Sequence, residues 1–482
     1  MPISPINPCK TLVTPSFLFL SCSICLLYLF LSPYSFSTLL HTHRIPPNTL
    51  QNTSTPTTLH HIIFGIASSA KSWPTRSDYV RVWYNPQSIR AYVFLDRIPP
   101  NTYPYNASSK TTPDNSYNDS SLPPIRISED TSRFPYTFPR GLRSAIRVAR
   151  IVSEIVALDL PDVRWIVLGD DDTVFFPENL AVTLGKYDWD GWYYVGGNSE
   201  GLEQNLKNSF GMAFGGGGFA VSYPLARVLA RVLDSCLVRY SHVYGSDARI
   251  FACLAELGVG LTRELGFHQV DIRGDLFGML SAHPLTPLVS LHHLDYVEPF
   301  FPNMTRVQAL EHLFEAVKVD PGRILQQTVC YDRLNSRTIS ISWGYAVQVY
   351  EGNRLLPDLL SLQQTFMPWK RSRNISSSQY MFNTREFPRD PCRRPARYFL
   401  ESMFSDKDGI RSNYKRHVEG NCQLSKVSAD HIEVFSQKLD LDARQLQAPR
   451  RHCCDVLPSS LDTVMKIGIR KCKDEELISM NL

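Results

Sequence analysis

Between Thr11 and His43 the chain has no aspartate, glutamate, lysine or arginine. A water-soluble domain does not open that way. The stretch SFLFLSCSICLLYLFL, Ser16 to Leu31, is long enough to enter a bilayer once extended by a few residues on either side. Lys10 and the amino terminus precede it, so the charge rule for orientation predicts a cytosolic tail over residues 1–11, a signal anchor over 12–31 and a lumenal remainder. Small residues at Ser35 and Ser37 offer the competing reading of a cleaved signal peptide.

Other shortages exclude whole classes. The net charge is only +4 over 482 residues and no basic run is interleaved with aromatics, which sets a nucleic-acid binder aside. Eight cysteines follow the anchor, at 236, 253, 330, 392, 422, 453, 454 and 472, with no CxxC pair among them, which argues against zinc. An even number suits disulfides in an oxidising lumen, with the pairing left open. Sequons at Asn52, Asn106, Asn118, Asn303 and Asn374 are glycan acceptors in the same compartment. No internal repeat is visible.

Residues 32–59, rich in Ser, Thr, Pro, His and Asn, read as a stem. The folded part begins with a strand over Ile62 to Ala67, a helix opened by Pro74, and a strand AYVFLD ending at Asp96, a βαβ start. Arg97 to Pro124 reads as a long Pro-bounded insertion. The next segment has helical spacing, with Leu142, Ala145, Ile146, Ala149 and Val152 on one side and a stripe of Arg140, Arg143, Arg147 and Arg150, expected to be solvated, on another. Further on, TISISWGYAVQVYEG alternates Ile339, Ile341, Trp343, Tyr345, Val347 and Val349 on one face, as a half-buried strand does. From about Leu360 four short cysteine-bearing stretches predict a disulfide-stapled appendage over 361–482.

Four stretches carry chemistry. In WIVLGDDDTV a buried strand runs into Asp170, Asp171 and Asp172; crowded carboxylates at i and i+2 can converge on one divalent cation, with oxygen ligands suiting Mn²⁺ or Mg²⁺, the bland alternative being an acidic surface turn. FGGGGFAVS, with Gly216, Gly217 and Gly218, lets backbone approach a bound molecule closely, or is simply a turn. In YGSDARIF, Asp247 opens a helix and serves as a cap or as a catalytic carboxylate. LHHLD holds a histidine pair, a ligand or a hydrogen-bonded core group.

In that order, the four stretches resemble the Fringe-like β1,3-glycosyltransferases of glycosyltransferase family 31, and more narrowly their plant relatives with the DUF604 domain. VLGDDD matches the family's acidic triplet; Gly215, Gly216, Gly218 and Phe219 match its Gly-Gly-x-Gly-Phe turn. Asp247 and Cys253 match a catalytic acid followed six residues later by cysteine, although Ser246 stands where the family has a first acid. His293, Leu294 and Asp295 match a His-Leu-acid element. YVGGNSE, GFHQVDIRGD and HPLTPLVSLHHLDYVEPFFPN resemble the plant subgroup.

The resemblance implies a GT-A fold, a Rossmann-like α/β domain, over residues 60–360, with Mn²⁺ or Mg²⁺ held by Asp170, Asp172 and His293. It implies a UDP-sugar bound near Asp170, Asp171, Gly216, Gly217 and Gly218, and Asp247 as the base for inverting transfer to a glycan or glycoprotein in β1,3 linkage. The implied location is the Golgi membrane, single-pass type II with the catalytic domain lumenal. Two rivals stand: a glycan-binding or scaffold protein of the same fold without turnover, and a haloacid-dehalogenase-type phosphatase, because DDDTV also fits a DxDx[TV] signature.

Overall fold

The computed structural model describes residues 55–99, 119–370, 379–418 and 427–478. The expected anchor over 12–31, most of the stem and most of the Pro-bounded insertion lie outside them. Among the described residues no helix is long and apolar enough to cross a membrane.

A seven-stranded sheet positions the acidic triplet. Its strands are β1 (Ile62–Ala67), β2 (Arg90–Leu95), β3 (Ile125–Ile127), β4 (Trp165–Asp170), β5 (Tyr194–Gly196), β6 (Phe219–Ser222) and β7 (Leu261–Arg263), in the order β3-β2-β1-β4-β6-β5-β7. β1 pairs in parallel with both β2 and β4, with Ala67 opposite Asp170. The chain moves outward from β1 to β2 and β3, then returns to the other side of β1 as β4. Open α/β sheets bind ligands at such a reversal, outside the carboxyl ends of the strands. Ser68 and Asp171 leave the sheet at that point.

The central strands β1 and β4 are almost continuously apolar because both faces are covered. Ile63, Ile166 and Leu168 pack against helices α2 (Ser144–Val156), α3 (Tyr223–Arg239) and α4 (Gly245–Glu256). Ile62, Phe64, Ile66, Trp165 and Val167 face the opposite core, shared with helices α1 (Trp73–Trp83) and α5 (Arg306–Val319). A disulfide between Cys236 and Cys253 staples α3 to α4, and so fixes the helix that carries Asp247.

Of the arginine stripe, Arg140 and Arg143 precede α2 and are exposed as expected, whereas Arg147 and Arg150 are buried. Arg147 donates to the carbonyls of Phe94 and Ser68 at 3.0 and 2.6 Å, and Arg150 pairs with Glu129 and Asp234, each at 2.8 Å. The Phe94 carbonyl also accepts from Ser68 N–H at 3.1 Å, so the Arg147 guanidinium ties together the ends of β1 and β2. Leu142 is not on the buried side; it precedes the helix and is 75 % exposed.

The second sheet has eight strands: β8 (Gln327–Asp332), β9 (Arg337–Ser342), β10 (Ala346–Glu351), β11 (Ala396–Asp406), β12 (Gly409–His417), β13 (His431–Ser436), β14 (Cys453–Leu457) and β15 (Val464–Arg470), in the order β8-β9-β10-β11-β12-β13-β15-β14. The stretch expected as one half-buried strand is the hairpin β9–β10, turning at Trp343-Gly344-Tyr345, and nearly all of it is buried. The division expected at residue 360 does not separate two bodies, because β10 pairs with β11 across it and the described residues from Thr57 onward fall in one compact unit. The outermost strands β8 and β14 are joined by the Cys330–Cys454 disulfide, with Cα atoms 5.4 Å apart, and by Arg451 donating to the Gln327 carbonyl at 3.0 Å. The sheet thus curls until its edges meet, around Ile341, Val347, Tyr398, Tyr414, Ile432 and Ile467. Cys453 pairs with Cys472 beside that junction.

Candidate active site

The three aspartates at the end of β4 point in different directions. Asp171 is turned inward: Ser68 Oγ donates to it at 2.6 Å, Arg76 Nη1 donates at 3.0 Å, and 3 % of the residue is exposed. It is a structural anchor, so the expectation that it touches a nucleotide sugar does not fit its place. Arg76, on α1, also lies 3.3 Å from Asp172 and binds Asp295 at 2.9 Å, while Tyr79 donates to Asp295 at 2.7 Å. One guanidinium therefore offsets much of the triplet's mutual repulsion.

Asp170, Asp172 and His292 face one another, and their ligand atoms fall within 4.8 Å. His292 Nε2 is 3.1 Å from Asp172 Oδ1 and 3.7 Å from Asp170 Oδ2. The histidine in this group is His292 and not the expected His293. Ser290 and His292 follow the period-two alternation of an extended chain: Ser290 Oγ donates to the Gly217 carbonyl, and His292 lies against Gly216. His293 then takes a left-handed φ of 55°. Its ring turns to Asp271, 3.1 Å away, and stacks on Trp369 at 4.3 Å, with Tyr296 against the same indole.

His292 is held from behind. Its Nδ1 lies 3.2 Å from the Gln269 carbonyl, which can only accept, so Nδ1 carries a hydrogen; Nε2, facing the two carboxylates, is the nitrogen that would give up its proton and offer a lone pair to a cation. Imidazoles that bind metals are usually oriented in this manner. Asp172 is 1 % exposed, and no donor is aligned on either of its oxygens; the nearby His292 and Arg76 attract it by charge without hydrogen-bond geometry. Two carboxylates and one imidazole fit Mn²⁺ or Mg²⁺, and the orphaned buried carboxylate fits a cation in particular.

The electrostatics express the same need. Burial raises Asp170 to about 7, reinforced by Asp172, Asp247 and Asp171 and opposed by His292, although 43 % of its side chain stays open. Burial also works against the Asp172 carboxylate, but His292 and Arg76 outweigh it and bring it to about 2. His292 is pushed down by burial and more strongly up by Asp172 and Asp170, to about 9. Burial and then His292 lower His293.

The glycine turn is the hub. A Cβ on Gly215 would sit 2.5 Å from Asp247 Oδ1, and one on Gly216 would sit 2.1 Å from the His292 ring. Any larger residue would push the catalytic candidate or the histidine out of place. Gly217 N–H donates to Gln269 Oε1 at 2.6 Å, and Gly218, at φ 81°, packs on Phe175. Gly216, Gly217 and Gly218 are all buried. They seat the site's side chains, and the expected direct contact with a nucleotide sugar does not fit that burial.

Asp247 lies in the first turn of α4 and is half-buried. Gly215 N–H donates to its Oδ2 at 2.9 Å and Ser246 Oγ to its Oδ1 at 2.8 Å. It shares a small pocket with Asp170, Gly215 and Ser246. The sequence reading missed His292, Arg76, Gln269 and Trp369; of these only His292 carried a signal, the alternation from Ser290.

A protein family described as of unknown function, DUF604, matches residues 204–454, just over half of the 482-residue chain. No curated protein matches. Among solved structures, the mannosyltransferase PcManGT from Pyrobaculum calidifontis, in complex with GDP-Man and Mn²⁺, is similar over 44 % of this chain and 57 % of its own, at 14 % identity and a TM-score of 0.22. The chain thus spans little more than half of that structure, and a likeness so slight carries no argument.

Proposed function

The chain belongs to the DUF604 family, and on the geometry of its site we propose that it is an inverting glycosyltransferase, moving a sugar from a nucleoside diphosphate donor to a hydroxyl of a glycan or glycoprotein. One observation carries the reading: the buried Asp172 carboxylate, without an aligned donor, faces an imidazole nitrogen whose ring is fixed from behind. Asp170, Asp172 and His292 would hold Mn²⁺ or Mg²⁺. The ion would supply positive charge where the diphosphate departs.

The remaining work falls to the chain. Each Asp247 oxygen accepts one hydrogen bond and retains a lone pair for an acceptor hydroxyl. The hydroxyl proton goes to Asp247 as its oxygen bonds the anomeric carbon; the bond from that carbon to the diphosphate breaks, and the nucleoside diphosphate leaves. A single displacement inverts the carbon. The finer reading is a Fringe-like enzyme of GT-A fold, using UDP-sugars to form β1,3 linkages as a type II protein of the Golgi membrane. The motif order and the site's place where the sheet reverses support it.

A second reading, binding without turnover, is favoured by Ser246: it replaces an acid and occupies Asp247 Oδ1 with a donor. For a phosphatase, Asp170 would be the nucleophile, but it follows β4 and not the first strand.

The test is a panel of UDP-sugars offered to the purified protein with Mn²⁺ or with chelator. Consumption of one donor only in the presence of the ion supports transfer. Cation-dependent nucleotide binding without consumption supports the second reading. Absence of any cation-dependent nucleotide binding defeats both.

A further inference from the structure

Val270 is fully buried and has a φ of 54°. A β-branched residue in that conformation is strained, and such strain persists only where neighbours enforce it. Its neighbours on the chain hold both histidines: the Gln269 carbonyl accepts from His292 Nδ1, the Gln269 side chain receives Gly217 N–H, and Asp271 stands beside His293. The turn at Val270 is what sends these two residues toward their separate partners.

Two consecutive residues outside the active-site mouth enforce the turn. Glu200 Oε2 accepts the Val270 N–H at 2.7 Å, and Ser199 Oγ donates to Asp271 Oδ2 at 2.5 Å. Glu200 is itself fixed. Its Oε1 lies 3.0 Å from His268 Nδ1, and His268 Nε2 lies 2.9 Å from His283 Nε2. His283 Nδ1 faces the Pro284 carbonyl at 2.9 Å. Carbonyls only accept, so His283 carries its hydrogen on Nδ1; burial keeps that ring neutral, and its Nε2 accepts. His268 Nε2 must then donate, and one proton lies between His268 Nδ1 and Glu200. Glu200, His268 and His283 are all buried.

We propose that Glu200 is a positioning residue for the cation site: by holding the strained Val270 peptide it sets the direction of the Gln269 carbonyl and hence the tautomer and aim of His292. The inference rests on the reading of Asp170, Asp172 and His292 as a cation site. It also identifies the conservative replacement, since a glutamine at 200 can accept from Val270 N–H and donate to His268 Nδ1.

The test is Mn²⁺ titration of the intact protein by calorimetry, with no nucleotide present. Glu200→Ala is expected to weaken Mn²⁺ binding about 10- to 100-fold, the usual effect of losing a partner behind a metal ligand. Glu200→Gln is expected to stay within about threefold, because the amide reproduces both bonds. Adding Val270→Gly to Glu200→Ala should recover most of the loss, because glycine adopts positive φ unaided. A purely structural role would give no such recovery. Should Glu200→Ala fail to fold, Ser199→Ala loosens the same turn from its other side, with an expected loss of about three- to tenfold. Wild-type affinity in Glu200→Ala, or in Ser199→Ala where that variant stands in, overturns this inference alone. A wild-type protein that binds no Mn²⁺ overturns the site reading as well.

Discussion

At the end of the parallel strands, charged groups are packed without full satisfaction: Asp172 lacks an aligned donor, His292 is held between carboxylates, and Val270 is strained. In the curled second sheet buried polar groups are hydrogen-bonded where the Tyr414 hydroxyl receives Gly344 N–H at 3.0 Å and Tyr398 donates to the Ala429 carbonyl at 2.7 Å, and those among the described residues without a partner, Trp343 Nε1, Asn413 Oδ1 and Ser436 Oγ, are uncharged. There the ends are closed covalently, by Cys330–Cys454. The unsatisfied groups of the first region are charged and converge on one place, whereas those of the second are neutral and scattered. Stability and chemistry are therefore expected to respond to separate sets of residues.

Four experiments break or sharpen that contrast. Asp247→Asn should lower transfer by about 10²- to 10⁴-fold, the range for a lost general base, while leaving Mn²⁺-dependent nucleotide binding and melting temperature unchanged. Transfer at the wild-type rate would remove Asp247 from its assigned role. Replacing Cys330 and Cys454 together by serine should cost up to about 5 kcal/mol in denaturant unfolding, the chain-entropy value for so long a loop. The cysteines are 124 residues apart. Mn²⁺ affinity should not follow, and a parallel loss would show that the two regions are coupled.

Asp172→Ala should weaken Mn²⁺ binding about 100-fold or more, since it removes a buried ligand, with little effect on unfolding. The pH dependence is the mildest test. His292 is held up at about 9 and Asp170 at about 7 in the ion-free site, so both carry protons below pH 7 that a cation must displace. Mn²⁺ affinity should rise about tenfold per pH unit between 7 and 9, where one proton is released, and more steeply below 7, where two are. A flat calorimetric profile would separate the histidine from the ion.

Much of this arrangement was legible in the sequence. β1 was read at its true bounds and β4 to within a residue, because a strand covered on both faces leaves an unbroken apolar run. The hairpin at Trp343 was not visible. Ile339 pairs with Val349 and Ile341 with Val347, so the alternation continues through the turn with the same parity and resembles one long strand. Gly344, at φ 75°, was the local sign. The site was legible in kind and displaced in detail: the histidine pair was identified, but the left-handed residue that turns one ring away depends on Trp369 and Asp271, distant in sequence. Arg147 and Arg150 read as ordinary helix charges, and Arg76 gave no sign, for the same reason: their acceptors come from other segments.

Gly215 touches Asp247 and Gly216 touches His292. The group assigned to take a proton and the group that faces the cation thus rest on neighbouring peptide units, about 3.8 Å apart along a trans backbone. A side chain at either glycine would displace one of these groups relative to the other, so the turn is the place where a single methyl group would disturb their common alignment.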